Sequence, residues 1–277
     1  MPELPEVETI RRILGPQIMG RKIISLKVKN SQVIAHPDEK IFLNLLSGQI
    51  IENMSRRGKF LTIHFVNGDR LILHLRMTGQ LLVTPAVFPE EKHTHLIAEL
   101  SDGNQLRYID VRRFGRFWYL RENETDTVTG QEKLGLEPWD EELTGNYLKE
   151  KLCYKKKTIK EMILDQSVVA GIGNIYSDEI LFVSGIHPAT KCTEINEEEW
   201  TCLARRIPEI LSWGISVNKM SPEEYLEGKG KAYRNTPLLK VYGCSGQPCM
   251  ICNSPLEKII VGGRSSCYCP KCQGKKV

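Results

Sequence analysis

Four cysteines near the C-terminus constrain the fold of this chain more than any other feature. Cys249-Met250-Ile251-Cys252 is followed, sixteen residues later, by Cys269-Pro270-Lys271-Cys272. Two thiolate pairs at this spacing can close a tetrahedral four-sulfur zinc site, each pair supplying half of the ligands. Four protein ligands leave no open position, so such a metal is structural rather than catalytic; four free cysteines or a redox pair are the alternatives. Gly262-Gly263, central in the intervening stretch, predicts a β-hairpin with Arg264 near its tip. The other five cysteines (Cys153, Cys192, Cys202, Cys244 and Cys267) show no disulfide framework, which suits a reducing compartment. Neither Cys244 nor Cys267 acquires a role from its position.

A chain of 277 residues buries a sizeable core and divides into two or three domains. Its net charge of +4 permits nucleic-acid binding without arguing for it. Local runs say more: Lys155-Lys156-Lys157 and Arg112-Arg113 sit beside motifs that can face phosphate. No apolar run reaches the roughly 18 residues of a membrane span, and the N-terminus lacks the basic-then-apolar pattern of a secretory signal. No membrane association is expected, and the cytoplasm is the expected location.

Hydrophobic periodicity organises the rest. Val7, Ile10, Ile13 and Leu14 recur at helical spacing from Pro5 to Leu14, with Gly15-Pro16 as the expected stop. The period then changes: Ile24, Leu26 and Val28 alternate with polar residues, and strands are expected over 60–66, 70–75, 95–100, 105–110 and 116–120. Asn67-Gly68-Asp69 and Asp102-Gly103-Asn104 carry hairpin chemistry. This half reads as an antiparallel β-sandwich or flattened barrel behind one helix. The pattern breaks around Leu134–Trp139, and helices are expected over 142–152, 159–166, 175–184 and 197–213.

The N-terminus carries reactive potential. Pro2 follows Met1, and Glu3 follows Pro2. Loss of Met1 would leave a secondary amine that titrates near ~8 and is partly nucleophilic at neutral pH. Such an amine can attack an aldehyde-like carbon to form an iminium, with Glu3 beside it to move protons. Alternatively, Pro2 merely favours methionine removal, and Glu3, Glu6 and Glu8 decorate the first turns of a helix.

Two further constellations stand out. In Val169-Ala170-Gly171-Ile172-Gly173-Asn174-Ile175-Tyr176, the glycines permit a tight two-turn connection and Asn174 suits a helix N-cap. Its amide groups, with Lys157 and Lys160 on the preceding side, would cradle a DNA phosphate, although a plain helical hairpin would use the same residues. In the β-rich half, Lys59 opens a strand, His74-Leu75-Arg76-Met77 closes a hairpin, and Asp110-Val111-Arg112-Arg113-Phe114-Gly115 forms the next turn. Met77, Arg112 and Phe114 on neighbouring tips could enter a duplex and replace an extruded nucleotide. Each alone is equally an ordinary core or surface residue, as are Lys59 and His93.

Together these pieces resemble the formamidopyrimidine-DNA glycosylase family, bacterial base-excision enzymes also called 8-oxoguanine DNA glycosylases. The resemblance runs from Pro2 to Cys272 and rests on Met-Pro-Glu-Leu-Pro-Glu-Val-Glu-Thr, Val-Ala-Gly-Ile-Gly-Asn-Ile-Tyr and the four-cysteine finger occurring together. It implies an α+β multidomain fold with DNA in the cleft between its halves. The implied parts are a catalytic β-sandwich with an N-terminal helix (1–134), a linker and the start of the helical domain (135–150), a helix-two-turn-helix domain with a lesion-recognition loop (151–240) and a β-hairpin zinc finger (241–277). Pro2 becomes the Schiff-base nucleophile, Glu3 a proton donor, Lys59 the donor in β-elimination and Arg264 the donor in δ-elimination. His93, Arg112, Lys157 and Asn174 are expected on DNA phosphates, and Met77, Arg112 and Phe114 in the void. Lys160, Tyr176 and His74 complete the expected DNA-facing set. One structural Zn2+ and no organic cofactor are implied, with double-stranded DNA bearing oxidised bases or abasic sites as partner. A monomer in the bacterial cytoplasm, at the nucleoid when bound to DNA, is the accompanying expectation.

One stretch departs from the family. Where members that read 8-oxoguanine carry Gly-Gly-Ser/Thr-Thr and a glycine-rich loop ending in an aromatic residue, this chain has Gly214-Ile215-Ser216-Val217-Asn218-Lys219-Met220 and later Gly228-Lys229-Gly230-Lys231-Ala232-Tyr233-Arg234-Asn235. Lesion preference therefore stays open. The alternatives are an endonuclease VIII-like enzyme for oxidised pyrimidines, against which Leu4 argues, an abasic-site lyase with a diverged loop, and a non-catalytic damaged-DNA-binding zinc protein. The last has no use for Pro2, Glu3, Lys59 and Arg264 together.

Overall fold

The structure is a computed structural model that describes residues 2–231 and 233–274. Internal packing divides it into two units. The first holds Pro2, Glu6–Glu132 and Asn218–Tyr233; the second holds Glu3–Pro5, Lys133–Val217 and the chain from Arg234 onward.

The first unit contains most of helix α1 (Leu4–Ile18), then β1 (Ile23–Val28), β2 (Ile34–His36), α2 (Glu39–Leu46), β3 (Ile51–Arg57), β4 (Phe60–Phe65), β5 (Arg70–His74), β6 (Gly79–Pro85), β7 (Thr94–Leu100), β8 (Asn104–Asp110) and β9 (Arg116–Leu120). Two sheets form, ordered β1-β7-β8-β6 and β2-β9-β5-β4-β3. The pairing is antiparallel except for the short edge strand β2, which runs parallel to β9. Their apolar residues, including Leu61, Ile63, Leu71, Leu73, Leu81, Leu106 and Phe117, share one core with Val7, Ile10, Leu14 and Ile18 of α1. The expected hairpins at Gly68 and Gly103 are present, both glycines at positive φ (+84° and +85°).

Helix α1 does not stop at Gly15-Pro16. Pro16 removes only one N–H from the helical ladder, and Gln17 Nε2 donates to the Ile13 carbonyl at 2.7 Å. Continuing the helix buries Ile18 completely. The turn comes instead at Gly20, whose φ of +75° suits a residue without Cβ.

On α1, Glu8 accepts from Arg11 (Nε 2.9 Å, Nη2 2.8 Å), Arg12 (Nε 2.7 Å) and Arg56 (Nε 3.2 Å). Burial opposes its ionisation, but hydrogen bonds from Arg11 and Arg12 and the nearby Arg56 charge override this and hold it down to about 2. A depressed carboxyl contributes stability above its ordinary value and loses it as pH falls through the folded value. Acid titration followed by circular dichroism should therefore show the Glu8→Gln protein less stable than the parent above pH about 4.5, with the gap closing as pH falls towards about 2.

The second unit contains α3 (Gly145–Leu152), α4 (Ile159–Ile163), α5 (Asn174–Val183), α6 (Glu197–Val217), β10 (Glu257–Val261) and β11 (Arg264–Tyr268). Leu148, Leu152, Ile163, Tyr176, Ile180, Trp200, Leu203 and Leu211 build its main core. A smaller cluster of Phe182, Val241, Leu256 and Cys267 lies under the hairpin β10–β11. Glu179, nearly inaccessible, receives the backbone N–H groups of Lys240, Val241 and Tyr242 at 2.9–3.1 Å and so fixes the chain entering that hairpin.

Boundaries differ from expectation where side chains outcompete helical hydrogen bonds. Thr144 caps α3, which starts later than residue 142. Helix α4 ends at Ile163, not 166, and Gln166 instead staples the next turns: its amide donates to the Leu164 and Ile172 carbonyls (2.9 and 2.8 Å) and accepts from Gly171 N (2.9 Å). Helix α6 extends past Trp213 to Val217. The span 151–240 does not stay whole, because Asn218–Tyr233, with helix α7 (Pro222–Glu227), packs in the first unit. There Tyr225 OH donates to the Leu81 carbonyl (3.2 Å), and Asn218 Nδ2 to Glu6 Oε1 (3.2 Å).

Candidate active site and zinc centre

The first turn of α5 is the focus of the second unit. Gly171, at φ +97°, and Gly173 let the N-terminal strand of chain lie against it: a Cβ at Gly171 would stand 2.3 Å from Leu4 Cδ1, and one at Gly173 2.2 Å from Glu3 Cδ. Leu4 N donates to the Gly171 carbonyl (3.2 Å). The Glu3 carboxylate, almost fully buried, accepts from Ile175 N at 2.8 Å and Tyr176 N at 3.2 Å. A helix N-terminus presents N–H groups without intrahelical partners, and a carboxylate there satisfies both hydrogen bonding and dipole.

This corrects one expectation and occupies part of the expected cradle. Asn174 is the first helical residue rather than the cap; Gly173 occupies that position without a side-chain bond, and Glu3 supplies the acceptor from the far end of the chain. The N–H groups of Ile175 and Tyr176, expected to cradle a phosphate, are engaged by this internal anion.

Lys160 and Tyr176, expected among the DNA-facing residues, are enclosed by the protein. Both are 0% exposed. Lys160 Nζ contacts Asp178 Oδ1 at 2.5 Å and donates to the Ser265 carbonyl at 3.2 Å, while Tyr176 OH accepts from Asn235 Nδ2 at 2.8 Å. Burial pushes the Lys160 ammonium down and the Asp178 carboxyl up; their mutual contact opposes both. Asp178 also accepts from Ser266 Oγ (2.5 Å) and Cys267 N (3.0 Å). Helical periodicity explains the outcome: Lys160 lies one residue after Ile159 and two before Met162, on the packed side of α4. Lys157, before the helix, is exposed.

These contacts anchor the hairpin on α4 and α5. Asn174 Nδ2 donates to the same Ser265 carbonyl (3.0 Å), leaving its second N–H for other use. Arg264 immediately precedes Ser265, is exposed, and lies near enough to Lys160 to depress it. Glu3 and the Arg264 hairpin are thus both fixed to the opening turn of α5. Cys249, Cys252, Cys269 and Cys272 bring their sulfurs within 4.8 Å of one another, with Cys249–Cys272 at 3.8 Å and Cys252–Cys269 at 3.4 Å. Zinc–sulfur bonds of about 2.3 Å in a tetrahedron require sulfurs about 3.8 Å apart, so the four thiolates fit a structural zinc.

In the first unit the three expected void fillers come together. Met77 and Phe114 are exposed apolar side chains, Arg112 Nη1 lies 2.9 Å from Met77 Sδ, and the Arg112 guanidinium sits 4.6 Å from the Phe114 ring centroid. Arg76 and Arg113, the residues preceding Met77 and Phe114, adopt positive φ (+56° and +59°), a conformation costly without glycine and kept where the surroundings impose it. Half-buried His74 accepts from Arg76 N through its Nδ1 (3.0 Å), and its ring packs edge-on to Phe60. Burial, then the charges of Arg76 and Lys59, push His74 down to about 3, so it is neutral at physiological pH. Lys59, half-buried, occupies the β3–β4 turn after Gly58 (φ +54°), and half-buried His93 precedes β7. Pro2 is buried; Met1 lies outside the described residues.

A β-sandwich, a glycine-bearing two-turn helical segment and a four-cysteine ribbon in one chain define a zinc-ribbon, helix-two-turn-helix protein. Family models match in the same order: the formamidopyrimidine-DNA glycosylase N-terminal domain over residues 1–117, the helix-two-turn-helix domain of that family over 134–225, and the zinc finger it shares with isoleucyl-tRNA synthetase over 246–274. The chain is 43% identical over 259 residues to the formamidopyrimidine-DNA glycosylase of Moorella thermoacetica (94% of each chain) and 42% identical to that of Desulforamulus reducens over the whole of both. It superposes with a TM-score of 0.91 at 36% identity on the Lactococcus lactis enzyme crystallised with DNA containing an oxidised pyrimidine, covering 99% and 100% of the two chains. The chain belongs to the formamidopyrimidine-DNA glycosylase family.

Proposed function

We propose that this protein excises oxidised bases, formamidopyrimidines and 8-oxoguanine among them, from duplex DNA and nicks the strand at the resulting abasic site. The observation that carries this reading is the double anchorage on α5: Glu3, adjoining Pro2, and Ser265, adjoining Arg264, are both bonded to its first turn. The amine of Pro2, once Met1 is removed, attacks the sugar anomeric carbon as the glycosidic bond breaks and the base departs. A proton relayed by Glu3 to the sugar ring oxygen lets the bond from that oxygen to the anomeric carbon break, and the amine's lone pair completes the iminium as the ring opens. The iminium acidifies the neighbouring carbon-bound proton, and β- then δ-elimination cut the strand, with Lys59 and Arg264 as donors.

Exposed Arg112 and Lys157, with His93 and the remaining amide N–H of Asn174, would hold phosphates, and Met77, Arg112 and Phe114 would fill the emptied stack. Zinc would be held by the four cysteines and supplies only structural support. A monomer acting in the bacterial cytoplasm, at the nucleoid when on DNA, completes the proposal; among the described residues no helix is long and apolar enough to cross a membrane. Related crystallised Lactococcus lactis enzymes hold DNA with an oxidised pyrimidine, an abasic site or a formamidopyrimidine.

Borohydride trapping tests the reading. Duplexes carrying 8-oxoguanine opposite cytosine, dihydrouracil or a preformed abasic site should each be incubated with the protein and resolved on a denaturing gel. An adduct on the 8-oxoguanine duplex that Pro2→Gly abolishes supports it. Trapping confined to dihydrouracil moves the function to pyrimidine repair, and confinement to the abasic site leaves a lyase. No adduct on any duplex, with Met1 removal confirmed by mass, rejects enzymatic action.

A further inference from the structure

Asp110 ends β8 with a fully buried carboxylate. Its Oδ1 receives Thr78 Oγ1 and Arg112 N (3.1 Å); its Oδ2 receives Tyr108 OH and Gly115 N, both at 2.9 Å. Each oxygen thus binds two donors, the full acceptor capacity such a geometry allows. Its main chain is equally committed: Asp110 N donates to the His93 carbonyl (3.0 Å), and its own carbonyl receives His95 Nε2 (2.7 Å).

The four donors belong to the two tips that carry the proposed void fillers and to the strand beneath them. Thr78 follows Met77. Arg112 N and Gly115 N bracket Arg113, the residue at φ +59°, together with Phe114. Glycine is needed on both tips for the close approach: a Cβ at Gly115 would stand 1.8 Å from Tyr108 OH, and one at Gly79 would stand 2.9 Å from it and 2.4 Å from the Leu75 carbonyl. Burial opposes ionisation of Asp110, but hydrogen bonds from Gly115 N, Thr78, Tyr108 and Arg112 N hold it below the usual carboxylate range. The carboxylate is therefore present throughout the neutral pH range.

We infer that Asp110 is a positioning residue for the void-filling step: by tying the Thr78 hydroxyl to the Arg112 and Gly115 amides, it holds Met77, Arg112 and Phe114 as one preassembled wedge. This rests on the functional reading above and deepens it. A wedge fixed before DNA arrives inserts without first ordering two loops, so its loss appears in base unstacking rather than in covalent chemistry.

The test uses a duplex with a tetrahydrofuran abasic analogue opposite cytosine and 2-aminopurine as the neighbouring base. Insertion of Phe114 unstacks the probe and raises its fluorescence. In Asp110→Asn an NH2 group must face two donors, and the fluorescence rise at saturating protein should shrink at least about fivefold while thermal unfolding stays cooperative; Phe114→Ala should give a comparable loss. A full rise in Asp110→Asn overturns the inference. If that variant does not fold, Thr78→Val removes one donor and should at least halve the rise; an unchanged rise again overturns it. Failure of the functional reading looks different: the wild-type protein then gives neither a fluorescence rise nor a borohydride adduct.

Discussion

Glu3→Gln should lower excision of the damaged base about 10²–10⁴-fold, the range expected when a positioned proton-transfer group is lost. The substituted amide fits the same space and keeps one acceptor, so the backbone approach permitted by Gly171 and Gly173 is preserved. What changes is the charge and the pairing at α5. In the wild type both carboxylate oxygens take N–H donors, from Ile175 and Tyr176. In Glu3→Gln an NH2 group confronts one of those donors, at a cost of about 1–3 kcal/mol for the unsatisfied buried group. The two consequences are separable. Chemical denaturation reads the capping loss; single-turnover release of 8-oxoguanine reads proton transfer; borohydride trapping on a preformed abasic duplex, which needs no base departure, should fall far less than base release. Equal loss in both DNA assays would assign Glu3 a capping role alone.

This pairing is invisible in the sequence for a plain reason. Glu3 stands 172 positions from Ile175, and both motifs are conspicuous while nothing local connects them. Local chemistry is readable: Cys-x-x-Cys pairs, glycines at hairpin turns and the short apolar runs of β4, β5 and β9 all have causes within a few residues. Roles that depend on which side of an element faces a neighbour are not. Lys160 belongs to a basic stretch that suggests phosphate, yet the apolar positions around it in α4 turn it inward to Asp178. The bond from the Arg76 backbone to His74 is equally hidden, because it exists only once Arg76 takes positive φ. Asn218–Tyr233 looks continuous with the helices before it; Tyr225 and Asn218 bind it to the β-rich unit through partners at Leu81 and Glu6. Asp110 carries no signal beyond its place in a turn, since the donors that converge on it come from two separate loops.

Zinc removal should have the second large effect. Structural four-cysteine sites bind with about 10–16 kcal/mol, a free energy that is also folding free energy for the ribbon. The hairpin β10–β11 rests on a small apolar cluster, so its own core cannot replace that contribution. A strong chelator, or Cys269→Ala, should expose the remaining ligand thiols to titration and remove amide-exchange protection from β11. The loss propagates to α4 and α5: Ser265 no longer accepts from Lys160 and Asn174, and Asp178 loses Ser266 and Cys267. A buried ion pair stripped of its surrounding donors is strongly disfavoured, so the first turn of α5 should loosen with the ribbon. Trapping on an abasic duplex at limiting protein should fall at least about tenfold, equivalent to roughly 1.4 kcal/mol of lost contact. Any strand cutting that survives should accumulate the β-elimination product, because Arg264 leaves with the hairpin, whereas Pro2 and Lys59 do not. A protein with background zinc content that still gives wild-type trapping and the δ-elimination product would show that the ribbon neither holds DNA nor supplies the second proton donor.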